Sequence, residues 1–119
     1  MMMKVENTIP VLPVRNLKDS INYYVDVLGF KVDWKGAAVG SVSRDGCSIM
    51  LSELTNASAP GWVWIGLQDA TLFEEFKRKG VRVYQEPLNY DWGYEMKFQD
   101  LDANVLWLAT SPREDLPMI

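Results

Sequence analysis

The chain has 119 residues, 48% hydrophobic and 24% charged, which suits one globular domain spanning residues 1–119. A formal net charge of −4 argues against a nucleic-acid partner, no apolar run approaches the roughly 20 residues of a membrane span, and MMMKVENTIP lacks the apolar stretch of a secretory signal. With the single cysteine Cys47 no intramolecular disulfide can form, so the expected location is cytoplasmic, and the absence of histidine removes the commonest metal ligand and general base.

Thr8 to Val14 reads as an extended segment broken by Pro10 and Pro13, which suits a strand near a sheet edge. Asn16 is placed to cap a helix, Leu17, Ile21, Tyr24, Val25 and Leu28 follow helical spacing, and Gly29 supplies the stop. Phe30 to Trp34 is a strand, with Trp34 expected to pack rather than to meet a ligand. Ala38–Ser43 and Ser48–Glu53 form a hairpin about Asp45-Gly46. Cys47 follows that turn without a neighbouring base.

After the polar connection Leu54 to Gly61 the pattern returns. Trp62 to Leu67 is a strand, Asp69 the cap of a helix with Leu72, Phe73 and Phe76 on one face, and Gly80 its end. Glu74-Glu75 and Lys77-Arg78-Lys79 read as a solvated helix face. Val81 to Gln85 is a strand, followed by a loop through Pro87 and Asn89. Trp92 to Thr110 then forms a hairpin about Asp100 to Asn104. Strand alternation puts Glu95, Lys97 and Gln99 on one face, and Val105, Trp107 and Ala109 on one face of the last strand. Both halves read βαβββ, over about 8–54 and 62–110, and the fold class is α+β.

These two units, the stretch VRNLKDSINYYVDVLGF from Val14 to Phe30 and the turn before the last strand resemble the vicinal oxygen chelate superfamily of glyoxalases, extradiol dioxygenases and bleomycin-resistance proteins. Asp100-Leu101-Asp102-Ala103 departs from that family's usual D-P-D-G turn. The resemblance implies two repeats forming a curved open sheet, or cup, and metal ligands on the first and last strand of each repeat. Those positions are Ile9, Met50, Trp62 and Trp107, none of which offers an oxygen or imidazole donor, so no cofactor and no metal are expected.

With Trp62 in the cup, Trp64 joins it by alternation, and Trp107, Met50, Ser52 and Ile9 complete a mostly apolar lining. Glu95 and Lys97 are carried onto the same face from fosfomycin-resistance relatives. Asp91-Trp92-Gly93 resembles the E-W-G stretch of bleomycin-resistance proteins, which implies a ligand-stacking Trp92; packing at a dimer interface is the alternative. The expected function is metal-independent binding of a bulky aromatic ligand by a homodimer. Glu95 and Asp91 would favour a cationic one, as in bleomycin-type antibiotic resistance. The alternative is a metal-free lyase- or isomerase-like enzyme with Glu95 or Glu53 as general base, and a cup filled by its own tryptophans is the bland outcome.

Overall fold

The computed structural model describes residues 3–54 and 59–119, so part of the Leu54 to Gly61 connection lies outside the described residues. Helix α1 (Leu17–Asp26) begins where Asn16 Oδ1 accepts the Asp19 N–H at 2.9 Å, and Glu53 accepts the Leu17 N–H at 2.9 Å. Both acceptors satisfy amides that the first helical turn leaves without intrahelical partners. Leu17, Ile21 and Tyr24 form its buried stripe. Gly29 follows at φ 77°, a conformation open to glycine at little steric expense.

Helix α2 (Thr71–Arg78) starts two residues after Asp69, not one. Ala70 is the cap residue and makes no side-chain cap bond, while Asp69 accepts from the Thr71 N–H at 2.9 Å and the Thr71 hydroxyl at 2.7 Å. The carboxylate therefore closes a local turn that leads into the helix.

Each helix packs on one four-stranded sheet. The first has the order β1-β4-β3-β2, from β1 (Val11–Pro13), β2 (Lys31–Lys35), β3 (Val39–Arg44) and β4 (Cys47–Ser52). The second has the order β5-β8-β7-β6, from β5 (Trp62–Gly66), β6 (Arg82–Tyr90), β7 (Gly93–Gln99) and β8 (Val105–Thr110). In both, the first and last strands of the repeat run parallel and the other pairs antiparallel. The β3–β4 turn has Asp45 at φ 52° and Gly46 at φ 78°, the left-handed pair expected for a two-residue hairpin.

Two expectations about strands change. Pro87 and Asn89 do not form a loop: β6 runs on to Tyr90, and the chain turns at Tyr90–Gly93. The register slips once between Val83 and Gln85 and again between Gln85 and Leu88, so the strand carries extra residues there, and a bulge tolerates the N–H that Pro87 lacks. A similar slip between Val32 and Trp34 throws Asp33 out of register in β2.

The inward faces form one core, including Leu12, Leu51 and Val42 from the first repeat and Phe73, Phe76, Met96, Phe98, Leu106 and Leu108 from the second. The repeats are also joined by polar bonds from the β7–β8 turn. The Tyr24 hydroxyl donates to Asp100 Oδ2 at 2.7 Å, Asn104 Nδ2 donates to the Pro13 carbonyl at 2.9 Å, and the Arg15 N–H donates to Asp102 Oδ1 at 3.0 Å. Burial pushes Asp100 above the usual carboxylate range, opposed by hydrogen bonds from Tyr24 and Asn104. Glu75 departs from the solvated-face expectation. It pairs with Arg44 at 2.8 Å, bridging α2 to the first hairpin, and that guanidinium holds its carboxyl below the ordinary range.

The C-terminal segment returns along β6. Buried Asn89 donates to the carbonyls of Arg113 and Leu116 and accepts the Arg113 N–H, and the Ile119 N–H donates to the Asn89 carbonyl at 2.8 Å. With a radius of gyration of 15.4 Å, the chain is more extended than the about 13.5 Å of a compact globule of this length. The sheet faces away from the helices account for this, because they stand open.

Candidate functional site

The open face of the second sheet follows from its register. One row across it reads Trp62, Val105, Gln99 and Arg82; the next reads Trp64, Trp107, Lys97 and Gln85; the third reads Gly66, Ala109, Glu95 and Leu88. Val63, Ile65, Leu106 and Leu108 point the other way, into or against the core. The register groups Trp62 with Trp64 and Glu95 with Lys97, as alternation gives, and sets these and Trp107 on one face, where the family resemblance carried Trp107, Glu95 and Lys97.

These residues do not collapse into a plug. Trp62 is 51% and Trp64 60% exposed, so the cup is not filled by its own tryptophans. Trp62 meets Trp107 edge-to-face at 6.3 Å and Tyr84 edge-to-face at 5.6 Å, a geometry favoured by the ring quadrupoles. The Trp64 ring lies over Gly66: a Cβ there would come within 2.7 Å of the indole. Glycine lets the ring lie down on the strand and leaves its outer face to solvent.

Charge on this face is unevenly matched. The Lys97 ammonium sits 4.7 Å from the Trp107 ring centroid and donates to Gln85 Oε1 at 2.8 Å. Trp107 Nε1 and Gln85 Nε2 are cut off from solvent and have no partner among the described residues. Each such donor costs about 1–3 kcal/mol when left unmet. Glu95 is 3% exposed, and its carboxylate accepts no hydrogen bond and forms no ion pair among the described residues. It points toward Gly93, where a Cβ would stand 3.8 Å from Glu95 Oε2.

The other expected residues are spread out. Met50 is half-buried on β4 opposite Val11, and Ser52 is buried beside it in the strand, its hydroxyl accepting the Leu54 N–H at 3.2 Å. Ile9 lies just before β1 and shares with Trp64 a cleft of about 470 Å³ between the repeats. Trp92 sits at the β6–β7 turn, 67% exposed, stacked on Tyr90 at 4.4 Å and 9°. A larger cavity of about 740 Å³ lies by the β7–β8 turn, lined by groups such as Arg15, Tyr23 and Arg82; of the expected residues only the alternative base Glu53 lines it.

Three features of the open faces escaped the sequence reading. Trp34 is half-exposed opposite Ser41, in the row with Met50 and Val11, where packing was expected. Asp33 accepts from the hydroxyls of Ser43 at 2.6 Å, Ser41 at 3.0 Å and Ser48 at 3.2 Å, and the Ser43 bond leads in holding its carboxyl below the ordinary range. Gln85 reaches the second face, beside Tyr84, because of a bulge. Ser41 and Ser43 at alternate positions were the signal for the first polar face; nothing in period two announced the bulges.

The metal positions implied by resemblance, Ile9, Met50, Trp62 and Trp107, present carbon, a thioether and indoles. Among the described residues no group of three or more His, Cys, Asp or Glu side chains could hold a metal ion. A hard divalent cation does not fit this donor set. Of the two candidate bases, Glu53 is engaged with the N-terminus of α1, whereas Glu95 is uncommitted.

The family model described as Glyoxalase/Bleomycin resistance protein/Dioxygenase superfamily matches residues 9–108. Comparison with curated proteins finds no significant match. Among solved structures, the bleomycin-binding protein from bleomycin-producing Streptomyces verticillus, complexed with copper(II)-bleomycin, is similar with a TM-score of 0.78 at 22% identity, over 94% of this chain and 100% of that one. TnmS3, an antibiotic binding protein from Streptomyces sp. CB03234, gives 0.78 at 24% identity over 95% of this chain and 100% of that one. A bleomycin resistance determinant encoded on the transposon Tn5 gives 0.77 at 20% identity over 90% of this chain and 98% of that one. At these identities the likeness is one of fold. No helix is long and apolar enough to cross a membrane among the described residues. By its match over residues 9–108 and its paired βαβββ architecture, the chain belongs to the glyoxalase/bleomycin resistance/dioxygenase superfamily.

Proposed function

We propose that this chain is a metal-independent binding protein that sequesters a bulky aromatic, cationic small molecule of the bleomycin type, working in the cytoplasm as a homodimer. The observation that carries the reading is the solvent-facing aromatic surface of Trp62 and Trp64 beside a buried Glu95 that has no partner among the described residues. Indole faces attract planar rings and cations, and a carboxylate without a partner favours the cation. The fold neighbours that bind bleomycin or another antibiotic support the choice of ligand class. Dimerisation has a physical motive: Val11 and Trp34 on the first sheet expose apolar area that a second copy would cover.

The test is intrinsic tryptophan fluorescence of the full chain titrated with metal-free bleomycin, beside sedimentation to give the assembly state. Saturable quenching at one ligand per cup in a dimer is expected. Absence of any response to bleomycin and to other cationic aromatics would overturn the reading.

A second reading, a metal-free lyase or isomerase with Glu95 as general base, rests on the same uncommitted carboxylate. Glu95→Gln would then abolish turnover while leaving ligand-induced quenching intact; a binder would show weakened quenching instead.

A further inference from the structure

Two groups of opposite charge stand two residues apart on the same face of β7, and they do not pair with each other. Glu95 has no partner among the described residues, and the Lys97 ammonium goes to Gln85 and the Trp107 ring. An ammonium has three donor positions, and Gln85 Oε1 takes one. The same row adds two donors that no described residue meets, Gln85 Nε2 and Trp107 Nε1. The middle row of the sheet therefore offers donors in excess of acceptors, and the neighbouring row offers an acceptor without a donor. Positions two apart along a strand are separated by about 7 Å.

We infer that the ligand of this face is dipolar: a planar aromatic molecule whose cationic group is taken by Glu95 and whose carboxylate, or other oxyanion, is taken by the row of Lys97, Gln85 and Trp107. This rests on the reading of the open face as the ligand site and narrows it, since a purely cationic ligand leaves that row unmatched. Trp64, lying flat over Gly66 in the rows that hold both charge sites, supplies the ring platform. An oxyanion reaches the Trp107 indole N–H as the Lys97 side chain swings from the ring toward it, so the ammonium exchanges a ring contact for a full charge.

The test uses the full-length chain labelled with ¹⁵N, whose indole N–H signals are assigned by single Trp→Phe variants. The probes are 4-(aminomethyl)benzoate, which carries ammonium and carboxylate at opposite ends of one ring, with benzylamine and benzoate as single-charge controls. The dipolar probe is expected to bind roughly tenfold more tightly than either control and to move the Trp107 indole signal downfield. Lys97→Met should erase its advantage over benzylamine and the Trp107 shift, while Lys97→Arg keeps both. Glu95→Gln should erase its advantage over benzoate. If benzylamine binds as tightly as the dipolar probe and the Trp107 signal stays in place, the oxyanion subsite is wrong while the face remains a ligand site. If no probe moves Trp62, Trp64 or Trp107, the reading of the face falls, and the subsite with it.

Discussion

The two open sheet faces are built from the same repeat but treat their polar groups in opposite ways. On the first, Asp33 is surrounded by three serine hydroxyls that all donate to it. On the second, among the described residues, Glu95 is more deeply buried and is offered no donor, while Trp107 and Gln85 hold donors without acceptors. A satisfied polar cluster is explained by the fold that contains it; an unsatisfied one is explained by something the free chain lacks. The contrast assigns support to the first face and recognition to the second.

The change that would disturb both faces most is at the joint between them. Asn104 accepts the Gly61 N–H at 2.7 Å and donates to the Pro13 carbonyl and to Asp100, and it is fully buried. Asn104→Ala should destabilise the fold by about 3 kcal/mol, read as a lowered urea midpoint. A loss below about 0.5 kcal/mol would mean that the repeats do not depend on this joint.

The next pair of substitutions sets the faces against each other by sign. Glu95→Met removes a largely buried carboxylate that no hydrogen bond or ion pair compensates among the described residues and should raise stability by up to about 1 kcal/mol in the absence of ligand. Asp33→Asn turns one of the two oxygens that accept from the serine hydroxyls into a donor amide and should lower stability. Equal signs in chemical denaturation would dissolve the contrast.

Acid sharpens it further. The folded state lowers the Asp33 pKa, so its contribution is complete above the unfolded value, about 3.9 for a model aspartate, and is lost as pH falls through the lower folded value. The folded state raises the Asp100 pKa, so its contribution is complete below that unfolded value and is lost as pH rises through the folded one. Stability should therefore climb slightly on mild acidification and fall below about pH 4, and Asp33→Asn should flatten only the acid side. Denaturation midpoints collected across pH check both limbs.

The smallest effect on stability is expected at the most exposed part of the proposed site. Trp64→Ala should change the unfolding free energy by no more than about 0.5 kcal/mol, yet weaken aromatic ligand binding by roughly tenfold. A large destabilisation instead would show that the indole belongs to the structure rather than to a ligand.

Much of this architecture was legible because local rules and tertiary packing agree. Asn16 caps as its residue type demands, Asp45-Gly46 turns as such pairs do, and alternation groups Trp62 with Trp64 and Glu95 with Lys97, while the family resemblance supplied the face they share. The misses share a cause. Alternation holds only while one residue opposes one residue, and the bulges at Asp33 and in β6 break that count. Trp34 and Gln85 then reach faces that parity does not give them, and Pro87 sits inside a strand instead of ending one. Glu75 was misread for a different reason: its partner Arg44 is 31 positions away, beyond any helical spacing rule.

The tail held by Asn89 bears on how the protein avoids uncontrolled edge-to-edge stacking. β6 is an outer strand, and an outer strand with free backbone groups is a template for edge-to-edge aggregation. The Ile119 amide already occupies the Asn89 carbonyl, and the tail shields that end of the edge. The opposite outer strand, β2, is defended differently, by Lys31, Asp33 and Lys35 along its five residues. One flank is guarded by charge and the other by a strip of its own chain, so shortening the chain past Arg113 would bare a sticky edge without touching either the core or the aromatic face.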